Sequence, residues 1–352
     1  FPTRRSSDLM ALSSNALCAK AKAMYGNRLK EESYSELCRK QTLGDMVTYL
    51  KTQTNYSDAL KNINVRNVHR HQLEAALNEE YFSRCTRLMK YAPRKNLDFY
   101  RQEIIAIEIG LIVDKVISIK EKDTASFSLE IPDYLASKLS FNVYGLVNVD
   151  SYKGLITYLK NTRYYRILAN FDFRDPIDIN GLERKLKSLY YHVYVELINK
   201  YFSGSERKDL LDLIFVTIEL ANITKIYRYK KYFNESNEVI KNSLFLEFSR
   251  IPIRMYDKLI EAADADELMK LLANSRFKVY LGDHDYPYIE YYVEEVKYNV
   301  AKRNMRFSSS GPLVYLTYSI LQRIEIDNLK HIIEGIRYGR DASSIEDTLI
   351  YA

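Results

Sequence analysis

The sequences IEIGLI at residues 107–112, IELANI at 218–223 and IEIDNL at 324–329 share one pattern. In each, Ile-Glu is followed by Ile or Leu, then by two variable residues, then by Ile or Leu. Each hexapeptide lies inside a long apolar segment, and these segments span 104–117, 210–226 and 313–336. Each segment exceeds about 12 residues and contains no turn signal, which favours a helix over a strand. We therefore predict three equivalent helices, each apolar almost all round and buried on every side.

Two further patterns recur in the same order along the chain. A short helical pattern begins at residues 46, 155 and 268 and reads MVTYLK, LITYLKNTRYYRIL and LMKLLANSRFKVYL. A longer amphipathic pattern begins at residues 72, 181 and 288. The first two copies keep the same offset, 109 residues, in both patterns, as duplication produces and chance rarely does. The sequence thus predicts an all-α protein built from three divergent copies of one helical unit.

Polar stretches indicate where one copy ends and the next begins. EKDTASFS at 121–128 divides the first copy from the second, and NESNE at 234–238 divides the second from the third. We place the three copies at residues 10–126, 127–238 and 239–352. The segment FPTRRSSDL at residues 1–9 does not resemble the start of a protein, and we interpret it as a non-native leader.

The composition is that of a globular protein, with 47% hydrophobic and 28% charged residues. Only 11 Gly and 7 Pro occur in 352 residues, which favours long helices. Acidic residues are interspersed with basic ones and the net charge is only +6, so we do not expect a nucleic-acid partner. Three cysteines without motif spacing indicate a reducing compartment. No apolar stretch is free of charge over the length of a membrane span, and we expect a cytoplasmic protein.

Glu108, Glu219 and Glu325 are carboxylates on the helices that we predict to be buried. A buried charge is costly unless it is paired or its pKa is raised. The three residues are either structural core acids that lock helix packing, or ion-carrying or acid–base groups. Their repetition favours the structural role, because one active site needs one constellation whereas a duplicated fold repeats its packing residues. Arg228, Arg337 or backbone groups are candidate partners.

No catalytic or cofactor motif is present in the sequence. It contains no P-loop, no G-x-S-x-G, no H-E-x-x-H and no C-x-x-C. We therefore expect no catalytic residue, no cofactor and no metal site. Arg163 and Arg276 hold matching positions in NTRYYRIL and NSRFKVYL, where they either contact an acidic partner or are solvated surface residues.

Three features together resemble a known family. NALCAKAKAMYGNRL at 15–29 is similar to that family's opening helix, and IEIDNLKHIIEGIRYG at 324–339 is similar to its closing helix. With the three-copy organisation, these segments resemble the C subunit of bacterial and archaeal V-type (A/V-type) ATPases, whose homologue in the eukaryotic vacuolar enzymes is the d subunit. The first copy departs from the pattern, since Gly110-Leu111 stands where the other copies have Ala221-Asn222 and Asp327-Asn328.

The resemblance implies a specific architecture and role. Members of this family fold as three similar helical domains in a pseudo-threefold, funnel-like arrangement. Such a protein sits on the proteolipid ring of the membrane sector and receives the tip of the central shaft, so it transmits torque without an active site of its own. The resemblance therefore implies a rotor adaptor on the cytoplasmic face of the membrane, associated through the ring and not inserted. From the residues alone, a helical-repeat scaffold for other protein partners stays open as an alternative.

Overall fold

A computed structural model describes residues 6–122, 131, 133–262, 267, 268, 270, 271, 274 and 288–351, and side chains from residue 13 onward except at 133 and 134. The regular structure in these ranges is helical, which confirms the predicted all-α class. The helices are α1 Ser6–Gly26, α2 Glu31–Cys38, α3 Leu43–Gln53, α4 Arg70–Met89, α5 Leu97–Tyr100, α6 Gln102–Glu121, α7 Asp133–Ala136, α8 Val143–Val147, α9 Tyr152–Tyr158, α10 Tyr165–Ala169, α11 Ile179–Tyr201, α12 Gly204–Arg228, α13 Asn237–Ser243, α14 Ile253–Glu261, α15 Ile289–Phe307, α16 Gly311–Arg337 and α17 Ala342–Glu346. Shorter 3-10 turns lie at Arg94–Asn96 and Leu246–Phe248, and a π-helical turn at Tyr229–Phe233.

Polar side chains determine where several helices begin. Thr42, Ser151, Asp178 and Ser310 precede α3, α9, α11 and α16, and each accepts a hydrogen bond from a backbone N–H of the first turn. Such a cap satisfies one of the N–H groups that the helix leaves without an internal partner. Pro312 lies in the first turn of α16, where proline sacrifices no helical hydrogen bond.

The chain divides into two compact units, the first formed by Phe1–Lys95 with Gly204–Ala352 and the second by Asn96–Ser203. The copies that we place at 10–126, 127–238 and 239–352 stay a prediction, since this division follows contacts and not repeats. The interpretation of residues 1–9 as a leader also stays a prediction, and residues 1–5 lie outside the described residues.

The core of the first unit is built around α16, which packs against α1, α4 and α15. Its buried side chains Ile326, Leu329, Ile332 and Ile333 share one apolar cluster with residues of α2, α3 and α4. Close packing of α16 against α1 requires glycine at position 311, because an added Cβ would lie 2.5 Å from the Ser14 carbonyl oxygen. The end of the chain thus packs against its beginning within this unit.

The core of the second unit is built around α6, which packs against α11. Ile109, Ile112 and Val116 of α6 join one apolar cluster with residues of α8 to α11. The expectation that the central helices are buried on every side is wrong for α6, because Ala106, Gly110 and Asp114 form an exposed stripe. Ala and Gly remove little apolar area from water when buried, so their exposure costs little.

The three apolar segments are confirmed as helices: 104–117 lies in α6, 210–226 in α12 and 313–336 in α16. Among the described residues, no helix is both long enough and apolar enough to span a membrane.

Candidate functional site

Glu325 lies in α16 with 6% of its surface exposed, and hydrogen-bond donors surround its carboxylate. The Leu29 backbone N–H donates to Oε2 at 2.9 Å, and the Tyr56 hydroxyl donates to Oε1 at 2.7 Å. The Gln322 side-chain amide also donates to Oε1, at 3.0 Å. Burial and the Glu325 charge raise the pKa of Tyr56 well above its ordinary value, so Tyr56 stays a donor.

Arg84, on α4, supplies the positive charge of this site. It is 4% exposed, and its Nη1 lies 3.5 Å from Glu325 Oε1 while its Nε lies 2.7 Å from Glu80 Oε1. Its guanidinium also stacks 4.4 Å from the centre of the Tyr56 ring. One buried cation therefore serves two carboxylates, and its remaining N–H groups are hydrogen-bonded, as a buried charge requires.

Glu108 lies in α6 and is 1% exposed. The Ser140 backbone N–H donates to its Oε1, and the Tyr164 hydroxyl donates to its Oε2 at 2.6 Å. Burial and the Glu108 charge raise the pKa of Tyr164 above its ordinary value. Within the described ranges, no cation lies at ion-pair distance from Glu108, so neutral donors alone compensate its burial.

Glu219, in α12, is completely buried. Its Oε1 accepts from the backbone N–H groups of Arg250 at 2.6 Å and Ile251 at 3.2 Å. The Ser249 hydroxyl donates to the same oxygen at 3.1 Å and lies 3.0 Å from the Tyr256 hydroxyl. The carboxylate thus holds the loop that leads into α14.

The three carboxylates follow one scheme. Each accepts at least one backbone N–H from a loop before a short helix, namely at Leu29, Ser140 or Arg250, and one side-chain hydroxyl. The expected backbone partners are therefore present. The alternative partner Arg228 instead pairs with Glu290 at 2.8 Å, and Arg337 lies 5.9 Å from the Tyr338 ring centre. The structural role that we predict for the three acids stays a prediction, supported by their burial.

Sequence reasoning missed the hydroxyl donors Tyr56 and Tyr164. A signal was present, since each tyrosine follows Thr by two residues in TNY at 54–56 and TRY at 162–164. Each tyrosine N–H donates to that Thr hydroxyl at 3.3 Å, so both turns have the same local geometry. Arg84 carries no comparable signal, because only the fold brings it to a residue 241 positions away.

Asn222 and Asn328 sit three residues after Glu219 and Glu325 and form matching clamps on the backbone. The Asn328 amide donates to the Ile350 carbonyl at 2.7 Å and accepts from the Ile350 N–H at 3.0 Å. The Asn222 amide bonds the carbonyl and N–H of Phe245 at 3.3 and 3.0 Å. In α6 the corresponding residue is Leu111, which is buried in the apolar core and has no amide to form such a clamp.

Arg163 is exposed and lines a cavity of about 350 Å³ in the second unit, together with Glu108. Arg276, its counterpart in the third copy, lies outside the described residues. The structure therefore places one of the two predicted contact arginines on the same cavity as a buried acid, but not at ion-pair distance from it. Within the described part of the chain, no group of three or more His, Cys, Asp or Glu side chains is arranged to hold a metal ion.

The sequence model of the ATP synthase (C/AC39) subunit family matches residues 17–348. The chain belongs to this family. Membership confirms the family resemblance that the sequence suggested. The buried acids at Glu108, Glu219 and Glu325 all lie within the matched residues.

Two similar proteins of the family are each named as the C subunit of an A-type ATP synthase. That of Pyrococcus horikoshii is 23% identical over 329 residues, which cover 90% of this chain and 85% of the relative. That of Methanosarcina mazei is 22% identical over 210 residues, which cover 57% of this chain and 55% of the relative. The first comparison therefore extends over both compact units of the chain.

Proposed function

We propose that this protein is the central-stalk adaptor of a rotary A/V-type ATPase, linking the central shaft to the proteolipid ring. The observation that carries the proposal is the family match over residues 17–348, which spans nearly the entire chain. The names of the two relatives support the same assignment. In this role the chain transmits torque, carries no catalytic residue and is held on the cytoplasmic face of the membrane through the ring. We also propose the pseudo-threefold, funnel-like arrangement of its three copies.

The buried acids support a mechanical role. Glu325 joins α16 to Leu29 and Tyr56, which are 296 and 269 residues away in sequence. Charge-assisted hydrogen bonds inside a protein are short and strong, and a tight core resists deformation. A protein that transmits torque needs such links between distant segments, because a load applied at one end must not separate them.

The hydrogen bonds also argue against an ion-carrying role for these acids. Each carboxylate already accepts donors of the protein itself, and Glu325 in addition pairs with Arg84. At Glu108 and Glu325 donors reach both carboxylate oxygens, so an ion or proton would have to displace some of them and leave them buried without partners, at a cost of about 1–3 kcal/mol each. The geometry therefore favours fixed acceptors over acids that bind and release an ion in each cycle.

Binding to isolated partners tests the proposal. The purified full chain should co-elute in size-exclusion chromatography with a detergent-solubilised proteolipid ring and, in a separate run, with the proteins of the central shaft. A ring of a bacterial F-type ATP synthase is the negative control for the first run. If the chain binds neither the ring nor the shaft, the adaptor assignment is wrong. An elongated, open particle in small-angle scattering would in addition favour the helical-repeat scaffold.

A further inference from the structure

The cavity beside Glu108 contains features that the structural role of this acid does not require. It has a volume of about 350 Å³, and all its lining residues belong to the second unit. This volume is within the range of about 300–1,000 Å³ that is usual for ligand pockets. The residues used below are the basic side chains Arg101, Lys138 and Arg163, the acids Asp98 and Glu108, and the amide Gln102.

The cavity has a net excess of available positive charge. Arg101 and Arg163 are exposed, and neither guanidinium makes a hydrogen bond or ion pair with a described residue. The two acids are already engaged, since Asp98 Oδ2 accepts from the Tyr201 hydroxyl at 3.0 Å and Glu108 accepts from Ser140 and Tyr164. Neither acid lies at ion-pair distance from Arg101 or Arg163, so an incoming anion would meet two guanidinium groups that no described carboxylate already pairs with.

Gln102 adds a second, independent indication of a ligand. It is 4% exposed, and its amide nitrogen donates to the Asp98 carbonyl at 2.7 Å. This bond fixes the orientation of the amide, so Oε1 must act as an acceptor. Oε1 is buried and receives no hydrogen bond from the described residues. A buried acceptor without a partner is costly, and a ligand with an N–H donor would relieve that cost.

We propose that this cavity binds an acidic residue of a partner protein, with the carboxylate between Arg101 and Arg163 and the adjoining peptide N–H donating to Gln102 Oε1. An acidic residue within a peptide carries both groups, an anion and a neighbouring N–H donor. Arginine suits the carboxylate because its planar fork can donate two parallel hydrogen bonds. The choice of a protein partner rests on the proposed adaptor function, and the charge pattern of the cavity selects the chemistry of that partner.

Peptide titrations of the full chain test this proposal. The probes are the capped peptide Gly-Gly-Glu-Gly-Gly, the same peptide with Gln in place of Glu, and inorganic phosphate. Binding is followed by chemical-shift changes in TROSY spectra, including the side-chain amide signal of Gln102. We expect saturable binding of the Glu peptide with a shift of the Gln102 signal, no saturable binding of the Gln peptide, and weaker binding of phosphate than of the Glu peptide.

Substitutions identify the groups responsible. Arg163→Gln and Arg101→Gln should each weaken binding of the Glu peptide by about tenfold, as expected for the loss of a charge-assisted hydrogen bond. Both side chains are exposed, so neither substitution should unfold the chain. The matched control is Arg166→Gln, an exposed arginine of α10 that does not line the cavity. Its affinity for the Glu peptide should equal that of the unsubstituted chain.

Several results would overturn the proposal. Equal binding of the Glu and Gln peptides, or binding of neither, would show that the cavity does not recognise a carboxylate. An equal loss in Arg166→Gln and Arg163→Gln would indicate general surface electrostatics, and tighter binding of phosphate would make this a phosphate site. None of these results bears on the adaptor function, because ring and shaft binding are measured separately.

Discussion

Glu325 in α16 and Glu108 in α6 occupy the same place in the repeated Ile-Glu-Ile pattern, yet their burial is compensated differently. Both accept a backbone N–H from a loop and a hydroxyl from the tyrosine of a Thr-x-Tyr turn. Among the described residues, a buried cation, Arg84, lies at ion-pair distance from Glu325 but none does from Glu108. The two Ile-Glu-Ile segments therefore share the hydrogen-bond acceptor and the types of its donors, whereas the compensation of charge differs between them.

The two regions also differ in how the chain after the central helix is held. Asn328 fixes the backbone of Ile350, and Glu346 accepts from the Ser35 hydroxyl at 2.6 Å. The α6 helix has Leu111 in place of the asparagine. The first unit thus holds its C-terminal segment with buried amide bonds and joins it to α2 through a partly buried hydrogen bond, whereas α6 relies more heavily on apolar packing. Four measurements, ordered from the largest expected effect to the smallest, probe this difference.

Arg84→Met should lower the free energy of unfolding by about 3–5 kcal/mol, because it leaves the buried Glu325 without its cation and removes one of the two arginines that pair with Glu80. Urea denaturation followed by circular dichroism measures the change. The matched control is Arg87→Met, whose side chain is half exposed and 3.3 Å from the same Glu80, and should cost less than about 1 kcal/mol. Equal losses in the two variants would mean that the buried Arg84 stabilises the fold no more than the half-exposed Arg87 does. The buried cation would then not be a meaningful difference between the regions around Glu325 and Glu108.

Asn328→Leu should lower the free energy of unfolding by about 2–3 kcal/mol, because the N–H and carbonyl of Ile350 lose their partner. The same denaturation measurement applies. Asn170→Leu is the control, since Asn170 is exposed and bonds only the Arg166 carbonyl at 2.8 Å. A loss as small as that of the control would contradict a stabilising role for the two Asn328–Ile350 hydrogen bonds. The end of α16 would then differ little from that of α6, which has Leu111 at this position.

Glu108→Gln should lower the free energy of unfolding by about 1–2 kcal/mol, because Ser140 and Tyr164 donate to different carboxylate oxygens, and the amide nitrogen that replaces one of these oxygens cannot accept a hydrogen bond. Glu219→Gln should cost less, since the three donors described above all reach Oε1. Neither change should alter binding to the ring or the shaft. A larger loss at Glu219 than at Glu108 would show that charge, and not the number of acceptor oxygens, determines the cost.

The smallest effect concerns Asp341, which caps α17 after α16. Hydrogen bonds from the Ser343 hydroxyl and from the Ser344 N–H and hydroxyl hold the pKa of Asp341 below its ordinary value. Because the folded pKa is the lower one, this carboxylate stabilises the fold above its unfolded pKa, and the contribution is lost as the pH falls through the folded pKa. A carboxyl ¹³C titration of Asp341 measures the pKa directly.

Replacing both serines in the variant Ser343→Ala/Ser344→Ala should raise the pKa of Asp341 toward that of an ordinary aspartate, about 3.9. The Ser344 backbone donor would remain in this variant. An unchanged titration in this variant would contradict the proposed cause of the low pKa, and with it the contribution of this cap to holding the end of the chain.

Periodic features of the fold were predictable from the sequence. The apolar segments at 104–117, 210–226 and 313–336 indicated the central helices, because a helix buried by its neighbours needs apolar residues at every turn. The exposed stripe of α6 was not predictable, since Ala106 and Gly110 suit either a buried or an exposed face. The sequence predicted that backbone groups could be partners of the three acids, but it did not predict which residues supply them, because any loop can supply an N–H.

By itself, the sequence determined the all-α class, the repeated central acids and the family, because these depend on residue types at regular local spacing. Tertiary structure alone decided which donors meet those acids. Leu29, Tyr56 and Arg84 reach Glu325 from the other end of the chain, and Arg163 shares a cavity with Glu108. The physical reason is that such a hydrogen bond or ion pair forms only when the fold brings the two atoms within about 3–4 Å of each other. Local periodicity does not specify which distant segments pack together.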